Sequence, residues 1–219
     1  MKTLILIAAS LISWAGIASA QTTTFTTTVA GNAGPWEYGP GGLNVAYQYS
    51  FTDISFAPPT VITASAGFSF SAGSSLTISY VSGLVSLNPE TGWPYTDANG
   101  FTSQVMDTNW YGGWSPAYYM NPATFPIHPG ELVGTFADNS GQIVGTPFAI
   151  GDLGTFTIPV GATALQLGVN SVEYDVGDNS VGSWTIQVTL VPEPTTAALV
   201  LIGLGGLGLA TRRYQMRRA

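Results

Sequence analysis

The sequence predicts an all-β domain, a sandwich or barrel, over residues 21–190, set between two terminal segments of another kind. Three observations carry this. Short runs of β-branched and aromatic residues recur along the chain, with Gly, Pro, Asn, Asp and Ser between them. No helix-length run in 21–190 shows apolar spacing of three and four. There is no cysteine, so a chain that is exported must hold itself by core packing, and about 170 residues suffice for that.

In chain order, Met1-Lys2 precedes an apolar run from Leu4 to Ile17 and then Ala18-Ser19-Ala20. A charged start, a short apolar run and a small-residue end make 1–20 a signal peptide, with cleavage expected before Gln21. Thr22 to Val29 is Thr-rich and reads as a strand. Asn44 to Phe51 alternates Val45, Tyr47, Tyr49 and Phe51 with small or polar partners, and Pro58-Pro59 ends it. Val61–Phe70 and Leu76–Val81 are two further strands, the second with Leu76, Ile78 and Tyr80 on one face. Residues 88–130 are rich in proline, glycine, Trp and Tyr and read as a long irregular loop, with a short strand near Gln104–Met106. Strand signals then return at Leu132–Phe136, Gln142–Ile150, Thr155–Ile158, Ala164–Val169 and Ser183–Leu190. Their connectors are turn sequences such as Asp138-Asn-Ser-Gly141 and Gly151-Asp-Leu-Gly154.

Charge is distributed unevenly. All five Lys and Arg lie in the two ends, and every Asp and Glu except Glu193 lies in 21–190. Nucleic acid is therefore a poor partner, because phosphate binding needs cations on the protein. A divalent cation suits carboxylate and amide oxygens, although a plain acidic secreted surface accounts for the same composition.

The C-terminal segment is the clearest signal. Pro192-Glu193-Pro194 is followed by an uncharged apolar span, Thr195 to Thr211, and then by Arg212, Arg213, Arg217 and Arg218. The span is long enough for a transmembrane helix, and the arginines would hold its far end in the cytoplasm. This arrangement over 191–219 resembles the PEP-CTERM sorting tail of Gram-negative bacteria. The resemblance implies recognition and cleavage by an exosortase, transient anchoring in the inner membrane, and delivery to the cell surface or extracellular matrix.

Between the last two strands, Asn170 to Trp184 gathers oxygen donors at Asn170, Glu173, Asp175, Asp178, Asn179 and Ser180. These could serve one ion or simply make turns. Gly73-Ser-Ser-Leu-Thr-Ile78, Asp138-Asn-Ser-Gly-Gln142, Gly154-Thr-Phe-Thr-Ile-Pro159, Leu165-Gln-Leu-Gly-Val-Asn170, Asp178-Asn-Ser180 and Gly182-Ser-Trp184 follow in series. The series resembles the PA-IL-like galactose-binding lectins, small jelly-roll β-sandwiches in which sugar hydroxyls coordinate a calcium ion (Ca2+).

The resemblance implies a jelly-roll-like sandwich whose metal ligands are Asp178 and Asn179 through their side chains and Leu87 through its carbonyl, with Asp175 nearby. Two departures stand out: Ser171 replaces an Asp of the family pattern, and Val181 is an insertion. Trp93 would stack on a sugar face, with Asp97 and Asn99 binding hydroxyls, while His128 is read as structural. No cysteine or lysine nucleophile and no Gly-x-Ser-x-Gly elbow is present, so no enzyme is expected. The expectation is calcium-assisted carbohydrate or exopolysaccharide binding by an exported protein. The alternative is a non-catalytic matrix protein with a degenerate lectin site.

Overall fold

The computed structural model describes residues 22–37, 43–44, 58–64, 68–103, 127–171 and 179–191. Thr22–Val191 forms one compact unit, apart from the two chain ends. Among the described residues its strands are β1 (Thr23–Ala30), β2 (Thr60–Thr63), β3 (Ser75–Ser86), β4 (Leu132–Ala137), β5 (Ile143–Ala149), β6 (Leu153–Thr157), β7 (Ala164–Val169) and β8 (Val181–Val191). They make two four-stranded sheets with orders β1-β8-β3-β6 and β2-β7-β4-β5. Every pairing is antiparallel. First lies beside last, second beside seventh, third beside sixth and fourth beside fifth, which is the order of a jelly roll.

The first sheet follows the alternation in the sequence. On β8, Trp184, Ile186, Val188 and Leu190 are buried, and the residues between them face outward. Leu76 and Ile78 of β3 and Val29 of β1 complete this side of the core. The outer face carries hydroxyls in register. Thr24 bonds Thr189 and Thr77 bonds Thr155, each at 3.1 Å, so one row of threonines crosses all four strands.

The two middle strands of the second sheet depart from alternation because they are covered on both faces. Every residue of β4 and of β7 is buried, the pattern of a strand with no solvent side. Phe136, Leu165, Leu167 and Val169 meet the first sheet in the core. On the other face Thr135 Oγ1 donates to Gln166 Oε1 (3.1 Å), which also accepts the Glu37 N–H (3.2 Å). Gly168 lies against the backbone of Gly34 and Pro35, where any Cβ would collide with the Gly34 carbonyl. Gly168→Ala would force segment 33–36 off the sheet. We expect it to cost about 2 kcal/mol in urea unfolding, as overpacking of a close contact does, and a change under about 0.5 kcal/mol would contradict this packing.

Beyond shifts of one or two residues at other strand ends, the strands differ from their sequence bounds in two places. β3 runs on to Ser86 instead of ending at Val81, because a register shift between Tyr80 and Ser82 and a positive φ of 102° at Gly83 let pairing with β8 continue. β2 is confined to Thr60–Thr63 rather than reaching Phe70, and Phe68 instead packs edge-on against Phe25 and Phe70. The expected strand over Asn44–Phe51 (beyond Asn44), that near Gln104–Met106, the signal peptide 1–20 and the span 195–211 lie outside the described residues. Among the described residues no helix is long and apolar enough to cross a membrane. Residues 88–103 contain a single 3-10 turn, Pro89–Thr91, in the region read as irregular.

Candidate functional site

At the end of β3 the chain turns through Leu87 and Asn88. Asn88 caps the 3-10 turn: its Oδ1 accepts the Thr91 N–H (3.2 Å), and Gly92 closes the turn with a φ of 88°. Trp93 follows, its N–H donating to the Asn88 carbonyl (3.1 Å) and its carbonyl accepting from the Ser86 hydroxyl (2.7 Å). The indole is thereby fixed half-buried and edge-on to Phe101, with ring centroids 4.9 Å apart. Thr91, Gly92, Trp93, Pro94, Phe101 and Ser103 line a cleft of about 300 Å³.

Asp97 and Asn99 are not part of that lining. They brace the next turn. Val85 and Thr96 exchange backbone hydrogen bonds, and the Thr96 hydroxyl donates to the Gly100 carbonyl. Asp97 Oδ1 accepts the Asn99 N–H (3.1 Å), and Asn99 Oδ1 accepts the Asp152 N–H (3.0 Å). The turn thus ties the β3–β4 connection to the β5–β6 turn. Asp97 and Asp152 also face Tyr80, whose hydroxyl donates to the Gly83 carbonyl (2.7 Å). Partial burial and these two carboxylates raise the Tyr80 pKa.

The loops assigned to calcium meet where β3 ends and β8 begins. Ser86 is paired with Val181, so Leu87 comes opposite Ser180, and the Ser180 hydroxyl donates to the Leu87 carbonyl at 2.9 Å. Asn179, exposed, precedes Ser180. Asp175 and Asp178 lie outside the described residues. Ser171 is buried just past β7, and its hydroxyl has no hydrogen-bond partner among the described residues. A carboxylate there would have been a buried charge needing an ion. Among the described residues no group of three or more His, Asp or Glu side chains is placed to hold a metal.

Glu131 is the residue that sequence reasoning missed. It is only 7 % exposed, yet 21–190 holds no Lys or Arg to pair with it. Its Oε2 accepts the His128 N–H (2.7 Å), and the His128 carbonyl accepts from the Asn170 side-chain amide (2.7 Å). Burial pushes its pKa up to about 7, against the opposing pull of the His128 N–H and the His128 charge. The available signal was weak: an acid directly before a strand, in a domain without cations. The His128 backbone joins this network through both its N–H and its carbonyl.

In the C-terminal segment, residues 190–217 match the PEP-CTERM protein-sorting motif. Pro192, Glu193 and Pro194 fall inside it. No curated protein and no solved structure matches the chain, so the lectin resemblance stands on the motifs quoted above. The motif marks the chain as an exosortase substrate, exported in a Gram-negative bacterium with transient membrane anchoring through its C-terminal segment.

Proposed function

We propose that the chain is a non-catalytic protein of the cell surface or exopolysaccharide matrix that binds carbohydrate with the help of calcium. The sorting motif supports delivery to that place. The observation that supports sugar binding is the Trp93 cleft, an aromatic face held open at the surface by the Asn88-capped turn. An aromatic ring offers the C–H face of a sugar a surface that needs no charge. Calcium would be held by the Leu87 carbonyl and Asn179, which the fold brings to adjoining strand ends, together with Asp178 and Asp175. The Ser180 hydroxyl uses one lone pair of that carbonyl, leaving the other for an ion.

The second reading, a matrix protein with a degenerate site, is favoured by Ser171, which brings a hydroxyl where the lectin pattern has a carboxylate. Calorimetric titration with calcium, then with galactose in its presence, separates the two. The first reading expects heat from both, with the sugar heat abolished by chelator. Trp93→Ala should then weaken galactose by about tenfold while leaving calcium heat unchanged, the loss expected of one stacked ring. Calcium heat alone would leave a structural ion, and neither heat would leave the second reading.

A further inference from the structure

A second groove lies at the other end of the second sheet. Glu131 precedes β4 and Asp138 follows it, so the two ends are separated by the length of a six-residue strand, about 20 Å. The Trp93 cleft belongs to the Glu131 end, because the Phe101 N–H donates to the Pro129 carbonyl and the Leu132 N–H to the Ala98 carbonyl. At the Asp138 end, Glu37, Asp138, Gln166 and Thr163 surround a groove of about 450 Å³ with Val61 and Ala164 as apolar wall. That volume lies in the range of small-molecule sites.

The walls are fixed by buried polar anchors. The Glu37 main chain is held at both ends, its N–H by Gln166 Oε1 (3.2 Å) and its carbonyl by Asn44 Nδ2 (2.7 Å). Asn44 has a positive φ of 51°, and its side chain also bonds the Gly141 carbonyl (2.8 Å) and the Ile143 N–H (2.9 Å). The Glu37 carboxylate, by contrast, makes no hydrogen bond among the described residues. It rests over the Cα of Gly141, where any Cβ would collide with it. Asp138 spends one oxygen on the Ser140 N–H, the Ser140 hydroxyl and the Gln142 N–H. Gln166, fully buried, backs the groove, its Nε2 in a long contact with the Gly141 carbonyl (3.4 Å).

We propose that this groove binds a neutral hexose, with the Glu37 carboxylate accepting from its hydroxyls and the exposed Val61 against its C–H face. Charge sets the ligand class. With no Lys or Arg in 21–190, an anionic sugar would meet only carboxylates. A metal ion would find no set of three ligating side chains among the described residues. Hydroxyls bonding to a carboxylate make the charge-assisted kind of hydrogen bond. The groove is independent of the Trp93 reading. Where both hold, one molecule touches glycan at two opposite ends and can link two polymer chains.

The test is heteronuclear NMR titration of the full-length chain, in a detergent without a sugar headgroup, with glucose, galactose and mannose in turn. Saturable millimolar binding of at least one hexose is expected, with shifts at Gly141 and Thr163 that persist in chelator. Glu37→Ala should weaken it about tenfold or more, and Glu37→Gln, which keeps the shape, by a smaller factor. Trp93→Ala should leave it unchanged. Absence of binding by all three sugars, binding indifferent to Glu37→Ala, or loss on Trp93→Ala alone would each overturn the proposal. Because galactose binding at the Trp93 cleft is chelator-sensitive and Glu37-independent, failure of either site is read separately.

Discussion

Trp184→Ala should lower the unfolding free energy in urea by about 3–5 kcal/mol, the range for deleting a fully buried large aromatic side chain. Trp184 is fully buried in the middle of β8, the strand that joins β1 to β3. The ring does more than fill space. Its Nε1 approaches the Thr96 carbonyl at 3.4 Å, a long bond but one that crosses from the core to the turn beside the Trp93 cleft. The Thr96 carbonyl keeps the Val85 N–H (3.0 Å) after the substitution, so no acceptor is stranded. The loss is therefore mainly cavity and contact, and Trp184→Phe should recover part of it. Total stability of a domain this size is about 5–15 kcal/mol, so the variant should be near the limit of folding at 37 °C. Amide exchange at Thr96 should also rise more than exchange at Leu165, which lies in the other sheet. A loss below about 1 kcal/mol would show that Trp184 does not carry the packing between the strand and the turn.

Much of this fold was legible because its strands announce themselves locally. Thr22–Val29 is rich in β-branched residues, and β1 buries Val29 while exposing Thr24, Thr26 and Thr28. Ala164–Val169 was read as a strand with the bounds that β7 has, although it buries both faces. Local pattern failed where a neighbour decides. Gly83 reads as a break, yet β8 holds it in a bulge and β3 continues. Gln166 is a polar residue in the middle of a strand, and only Thr135 and Glu37, distant in sequence, account for its burial there. The sites divide in the same way. The sorting tail is a linear motif and needs no fold to be recognised. Trp93 was marked as a surface aromatic and lines a cleft, whereas Asp97 and Asn99 were grouped with it by proximity in sequence and turn their Oδ1 atoms to backbone N–H groups. Glu37 and Asp138 are a hundred residues apart in round terms, and only the packing of the 31–44 segment on the second sheet brings them to one groove.

Raising the pH from about 4.5 to 7 should destabilise the chain by about 3 kcal/mol through Glu131 alone. Its pKa is about 7 when folded against 4.5 for the free side chain. Between those values the folded chain keeps a proton that the unfolded chain has released, so stability falls with rising pH across this window and levels off above it. The size follows from the shift, at about 1.4 kcal/mol per pH unit. The cause is geometric: the carboxyl is buried, has one strong donor in the His128 N–H, and has no cationic Lys or Arg within its domain. Coulombic attraction to His128 and the hydrogen bond from its N–H act in the opposite sense, drawing the Glu131 pKa down. Asp138 acts at the acid end. Hydrogen bonds from Ser140 hold its pKa below the usual value, so its contribution is present above that value and is lost as the pH falls through the folded one. Glu131→Gln keeps an oxygen for the His128 N–H and removes the titration. Urea unfolding of this variant should be flat between pH 5 and 7 and more stable than the parent chain at pH 8. Glu131→Ala would also flatten the profile, but at lower stability, because it leaves the His128 N–H unsatisfied. A parent profile that rises across this window, or one that Glu131→Gln leaves unchanged, would mean that the carboxyl is ionised at little cost and that this end of β4 is open to water.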